Sequence, residues 1–146
     1  MKVLVPVDGS QYAMEGLSVA IEYAKARGAD ICLLTVVPSM EDVDLEISAA
    51  ERQRVMERLE RQGEAILKQA IDVLSARNLD AHCRKLMSSV SVADAIIDYA
   101  EKEDADLIII GSRGLSLSRR FKIGSVALAV VTNSPCSVHV VKMKNE

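Results

Sequence analysis

The segment "ADLIIIGSRGLSLSRRFKIGSVALAVV", Ala105 to Val131, decides the fold. "ADLIII" is the most hydrophobic run of the chain and has the length of a strand buried on both faces. "VALAVV" is a second apolar segment, read as a helix that stops before Pro135, which cannot continue it. Between the two stand Gly111, Gly114 and Gly124, the cations Arg113, Arg119, Arg120 and Lys122, and several hydroxyls. Such a loop is either a plain turn with solvated cations or an anion site. Gly111 and Gly114 can take backbone angles closed to other residues and let main-chain amides approach a ligand. A helix opening at Gly124 and Ser125 adds free amides and the positive end of its dipole. The spacing favours the anion, read as a nucleotide phosphate.

Working outward, "KVLVPV", "ADICLLTVV", "AHCRKL" and "SVHVVK" read as four further strands. Helical periodicity separates them. Met14, Leu17, Ile21 and Ala24 share one face of a helix over about Gln11 to Arg27, with Ser10 as N-cap and Gly28 closing it. A long, charged helix from about Asp44 to Arg77 carries the stripe Val55, Leu59, Ile66, Ala70 and Val73. Gly63 marks close approach to a neighbour there, at about 1 kcal/mol relative to alanine. A third helix has Ser91 as cap, Ala93, Ile96, Ile97 and Ala100 as its buried face, and an end near Glu103. Strict strand–helix alternation predicts an α/β fold, an open parallel sheet covered on both faces by right-handed crossovers. The charge-rich segment from Pro38 to Arg54 is expected to be the most mobile part.

A chain of 146 residues, 49% hydrophobic, is expected to form one domain over 1–146. Its formal charge of -3 and lack of basic tracts offer nucleic acid or an anionic membrane no general attraction. One Phe and three Tyr leave little for base stacking. The apolar runs are shorter than a spanning helix needs and no targeting segment is recognised, so a cytoplasmic location is expected. Cys32, Cys83 and Cys136 are odd in number and widely spaced, and read as reduced thiols. His82 and His139 stand alone in strands, without the partners of a metal site.

From Gly111 the loop reads Gly, two residues, Gly, nine residues, Gly, Ser. That is neither the Walker A loop nor the dinucleotide fingerprint. In open α/β sheets, ligands collect at the carboxyl ends of strands near the reversal of strand order. "PVDGS" after strand one and "VVPSM" after strand two therefore belong with this loop. Asp8 can accept from ribose hydroxyls or an adenine amino group, or help hold a metal ion. The less favoured alternative is a role in the turn before helix one with Gly9 and Ser10.

With these pieces quoted, "VLVPVDGS", "LLTVV", "ADLIIIGSRG", "IGSVALAVV" and "SPCSVHVVK", the chain resembles the universal stress protein family over nearly its whole length. The ATP-binding branch is implied, with sheet order 3-2-1-4-5 and an adenine nucleotide alpha hydrolase-like fold. The resemblance assigns Pro6, Val7, Asp8 and Val36 to adenine and ribose, and Ile110, Gly111, Arg113, Gly114, Gly124, Ser125 and Val126 to ribose and phosphate. ATP with Mg or Mn is the implied ligand. Two departures stand out: "MSSVSV" where glycine and proline often make the turn after strand three, and Thr35 where histidine is frequent.

The function so implied is a cytoplasmic stress-response or signalling module whose bound ATP modulates dimer or partner interactions. No general base, arginine finger or acidic pair is placed for fast phosphoryl transfer, so any ATPase activity is slow. The alternatives are a slow Mg-dependent ATP hydrolase and a nucleotide-free dimeric scaffold, the intact glycines opposing the latter. A phosphate-accepting receiver domain is rejected because Ser88 stands where its second carboxylate belongs. Strand five, as an apolar edge, predicts a homodimer.

Overall fold

The computed structural model describes residues 1–40, 46–115 and 123–144. In chain order they form β1 (Lys2–Pro6), α1 (Gln11–Arg27), β2 (Asp30–Pro38), α2 (Ala49–Ala76), β3 (Cys83–Ser89), α3 (Val92–Lys102), β4 (Leu107–Gly111), α4 (Ser125–Asn133) and β5 (Ser137–Val141). The strands make one parallel sheet in the order β3-β2-β1-β4-β5. Strand order reverses between β1 and β4, so the crevice at their carboxyl ends is the natural ligand position.

The period of two along each strand sorts the side chains into two cores. Val3, Val5, Leu33 and Ile109 pack with Leu17 and Ile21 of α1 and with Ala70 and Leu74 of α2. Leu4, Leu34, Ile108 and Ile110 face the other way, against Ile96 and Tyr99 of α3 and Ala127 and Val130 of α4. Burying each large side chain of this kind contributes about 1.5–3 kcal/mol. Every residue of β4 is buried, as its unbroken apolar run requires.

Serines start three of the helices. Ser10 Oγ accepts from Ala13 N at 3.2 Å, Ser48 Oγ from Glu51 N at 3.1 Å and Ser91 Oγ from Asp94 N at 3.2 Å. Gly28 ends α1 in the left-handed conformation at φ 66°, its N–H donating to the Ala24 carbonyl. Ser48 and Glu51 have the spacing of a capping box, which sets the start of α2 at Ala49. The expected start near Asp44 lies outside the described residues, as does part of the expected mobile segment; Ala49 to Arg54 are helical.

Four local expectations are corrected. β3 continues through Ser88 and Ser89, which pair with Val37 and Pro38, so the expected serine turn is strand. His82 precedes β3 rather than lying in it. The buried residues of α3 are Ala95, Ile96, Tyr99 and Ala100, with Ala93 and Ile97 only half-buried: Tyr99 takes the inward position. Finally, Cys32 and Cys83 are not reduced thiols but a disulfide. They lie 51 positions apart, yet the β2–β3 register sets them side by side, with Cα atoms 4.5 Å apart, within the usual bridging range. Cys136 is a free, half-buried thiol.

Gly63 is a point of close approach, as its sequence position predicts. A Cβ there would lie 2.6 Å from Leu86 Cδ1 and 2.8 Å from Val37 Cγ1. Thr35 lies beneath the same contact, 1% exposed, and its Oγ1 has no hydrogen-bond partner among the described residues. Substitutions at these two positions therefore act in opposite directions. Gly63→Ala gains helix propensity of about 1 kcal/mol, but overpacking costs about 1–3 kcal/mol, and urea unfolding is expected to show net destabilisation. Thr35→Val removes a buried hydroxyl whose desolvation goes uncompensated, and the same measurement is expected to show a gain of about 1 kcal/mol.

Candidate functional site

At the β1–β4 switch point lies a cavity of about 320 Å³, within the range of small-molecule sites. All the residues assigned from the sequence line it: Pro6, Val7 and Asp8 after β1, Val36 in β2, Ile110, Gly111, Arg113 and Gly114 at the end of β4, and Gly124, Ser125 and Val126 where α4 begins. Arg119, Arg120 and Lys122 lie outside the described residues.

Its wall also contains residues that the sequence reading missed. Leu34 belongs on this face by the strand period, two positions from Val36. Val92 and Ile96 come from successive turns of α3, and Ala127 from α4. Asp8 is the only carboxylate, and Arg113 the only cation, among the described lining residues. The chamber is thus apolar inside, with polar groups gathered along the β1, β4 and α4 edge.

Asp8 takes the turn role that its sequence position allows and also lines the cavity. Its Oδ1 accepts from Ser10 N at 2.9 Å, fixing the turn into α1. The other oxygen faces the loop that follows β4, so close that a Cβ added at Gly114 would lie 2.7 Å from Asp8 Oδ2. A side chain at 114 would displace the carboxylate.

The loop glycines serve closeness rather than unusual backbone angles. Positive φ among the glycines is confined to Gly9 and Gly28, so Gly111 and Gly114 do not use the left-handed freedom that glycine allows. A Cβ at Gly111 would come within 2.7 Å of the Tyr12 carbonyl carbon and oxygen. At Gly124 it would meet the Ser112 carbonyl oxygen at 3.4 Å, where Gly124 N already donates at 2.7 Å. These contacts hold the two ends of the loop together.

Gly124 is the N-cap of α4, and no side-chain cap bond is made there among the described residues. Ser125 is therefore its first helical residue. The amides of the first turn have no intrahelical partner, and Ser125 and Val126 line the cavity. Where α1, α2 and α3 satisfy a first-turn amide with serine, α4 has a glycine N-cap and turns its dipole end to the chamber. No group of three metal-ligating side chains occurs among the described residues. Thr35, the departure at β2, belongs to the opposite face and does not line this space.

Comparison with known proteins agrees with this architecture. The sequence model of the Universal stress protein family matches residues 1–142. Universal stress protein MJ0531 of Methanocaldococcus jannaschii is 32% identical over 141 residues, covering 97% of this chain and 81% of that protein. Among solved structures, hypothetical protein MJ0577 superposes with a TM-score of 0.84 at 24% identity, covering 99% of this chain and 97% of that one, a likeness of fold. A universal stress protein in complex with cAMP superposes with a TM-score of 0.71 at 25% identity, covering 97% and 96%. By its sequence and by the sheet and helices just described, the chain belongs to the universal stress protein family.

Proposed function

We propose that the chain binds ATP, with Mg or Mn, in the switch-point cavity and works as a cytoplasmic stress-response or signalling module. The observation that carries this reading is the uncapped start of α4 opening into an otherwise apolar chamber. A flat, mostly apolar base suits Val7, Leu34, Val36 and Ile96, a ribose suits Asp8, and phosphates suit the amides around Gly114, Gly124 and Ser125. The related protein solved with cAMP supports an adenine nucleotide. A divalent ion fits without a protein cage, because Mg usually takes one or two carboxylates together with substrate phosphates and waters. Asp8 is the carboxylate that would hold it.

Binding dominates over turnover in this reading. Asp8 is already engaged with Ser10 N, and no second carboxylate or histidine lines the described wall to serve as a general base. No described helix is long and apolar enough to cross a membrane, and neither a membrane nor nucleic acid is a partner in this proposal.

Freshly purified protein, denatured and chromatographed, is expected to release ATP. Gly114→Val displaces Asp8 and Gly124→Val crowds the Ser112 carbonyl, so each is expected to weaken ATP–Mg by roughly tenfold or more in calorimetric titration, about the loss of one or two charge-assisted hydrogen bonds. Retention by both variants of as much nucleotide as the parent overturns the assignment.

A homodimer through β5 belongs to the same proposal. β5 is an outer strand of the sheet, and α4 beside it exposes Leu128 at 53% and Val131 at 45%. Sedimentation at low micromolar concentration is expected to give twice the chain mass, and Val138→Lys on β5 to give a monomer. A parent protein that sediments as a monomer throughout refutes the dimer.

A further inference from the structure

The Cys32–Cys83 bond lies in the core that contains the cavity wall. Cys32 is fully buried in β2, whereas Cys83 is half-buried in β3, an outer strand whose only sheet neighbour is β2. On β2, Cys32 shares a face with Leu34 and Val36, both in the wall. The Tyr99 hydroxyl donates to Cys83 Sγ at 3.8 Å. On α3, Tyr99 follows Val92 and Ile96 at spacings of seven and three, which puts all three on one helix face. The sulfur pair therefore touches the chamber's lining by two routes, along β2 and along α3.

We propose that Cys32–Cys83 is a thiol–disulfide exchange site for a dithiol reductant, and that its redox state sets how well the cavity holds its ligand by shifting α3. The ligand half of this statement rests on the nucleotide reading above. A thiolate of the reductant attacks Cys83 Sγ, the sulfur of the half-buried partner, and the electron pair of the broken bond leaves on Cys32, which takes up a proton. The second thiolate then attacks the mixed disulfide, and Cys83 leaves with the other proton. The reductant ends as a disulfide, having supplied two electrons and two protons.

Reduction changes the packing. Two sulfurs that are no longer bonded must move apart to nonbonded contact, and a close-packed core has no spare room for this. Cys32 is enclosed, so the movement falls on Cys83, on β3 and on Tyr99 above it. Burial first, and the nearby Glu103 carboxylate second, raise the Tyr99 pKa. Its hydroxyl thus stays protonated, a donor to sulfur in either state. In a reducing compartment such a bond is transient and regulatory rather than a permanent staple.

The test uses the full chain, oxidised and then reduced with dithiothreitol, with circular dichroism confirming that it stays folded. Thiol titration under native conditions is expected to reveal Cys83 on reduction, with the enclosed Cys32 thiol appearing only on unfolding. Amide exchange in α3 is expected to accelerate and ATP–Mg affinity to fall by roughly fivefold or more, the usual scale of coupling between sites; reoxidation restores both. Cys83→Ala is expected to match the reduced parent and to ignore dithiothreitol, while Cys136→Ala responds as the parent does. A Cys83 thiol that stays unreactive until the chain unfolds, or equal α3 exchange and equal affinity in the two states, overturns the proposal. If neither state takes ATP while α3 exchange still changes, the exchange site stands and the nucleotide reading falls.

Discussion

The contact on which the rest depends is Gly111 against the backbone of Tyr12. The end of β4 and the first turn of α1 meet so closely that no side chain fits between them. This fixes the crossing of α1 over the sheet and brings the β1–α1 turn against the β4–α4 loop. Asp8 then lies over Gly114, and Gly124 is tied back to Ser112. The mouth of the cavity is thus built from backbone approaches. Substituting bulk at any of them disturbs the whole rim.

Much of this was legible because it is local or periodic. Alternation of strand and helix, the all-apolar β4 and the serine and glycine ends of α1 follow from short stretches of sequence, and the structure keeps them. What escaped depends on neighbours far along the chain. β3 reads as ending before Ser88 because serines suit turns, yet an edge strand tolerates polar residues and β2 supplies the partners. Tyr99 was passed over for the inner face of α3, and its phenol is accommodated there by meeting a sulfur from β3. Cys32 and Cys83 look unrelated by spacing; only the register of two strands makes them adjacent.

The candidate site divides in the same way. Gly114 and Gly124 could be named from sequence because a loop's composition betrays close backbone approach, whereas Asp8 was assigned by the family resemblance. Leu34 could have been inferred from Val36 by the strand period. Val92 and Ile96 could not, since only the packing of α3 over β2 turns two ordinary core residues into a wall. The glycines illustrate a finer limit. Their presence signalled constraint correctly, but whether that constraint was dihedral or steric required the distances to Tyr12, Asp8 and Ser112.

Electrostatics explains why the proposed ligand and a divalent ion belong together. The chain's net charge of -3 gives no long-range attraction for a polyanion, so its hold must come from short contacts. A carboxylate about 4 Å from a phosphate charge costs about 4 kcal/mol at the effective dielectric of a protein surface. Charge-assisted bonds from the amides contribute about 1.5–3 kcal/mol each, so two of them do little more than offset Asp8. A divalent cation held by Asp8 would supply the positive charge that reverses the sign of that term, and the carboxylate would then serve as an anchor. On the proposed reading, the amides at the start of α4 and the acidic group facing Gly114 would be complementary parts of one site rather than opponents within it.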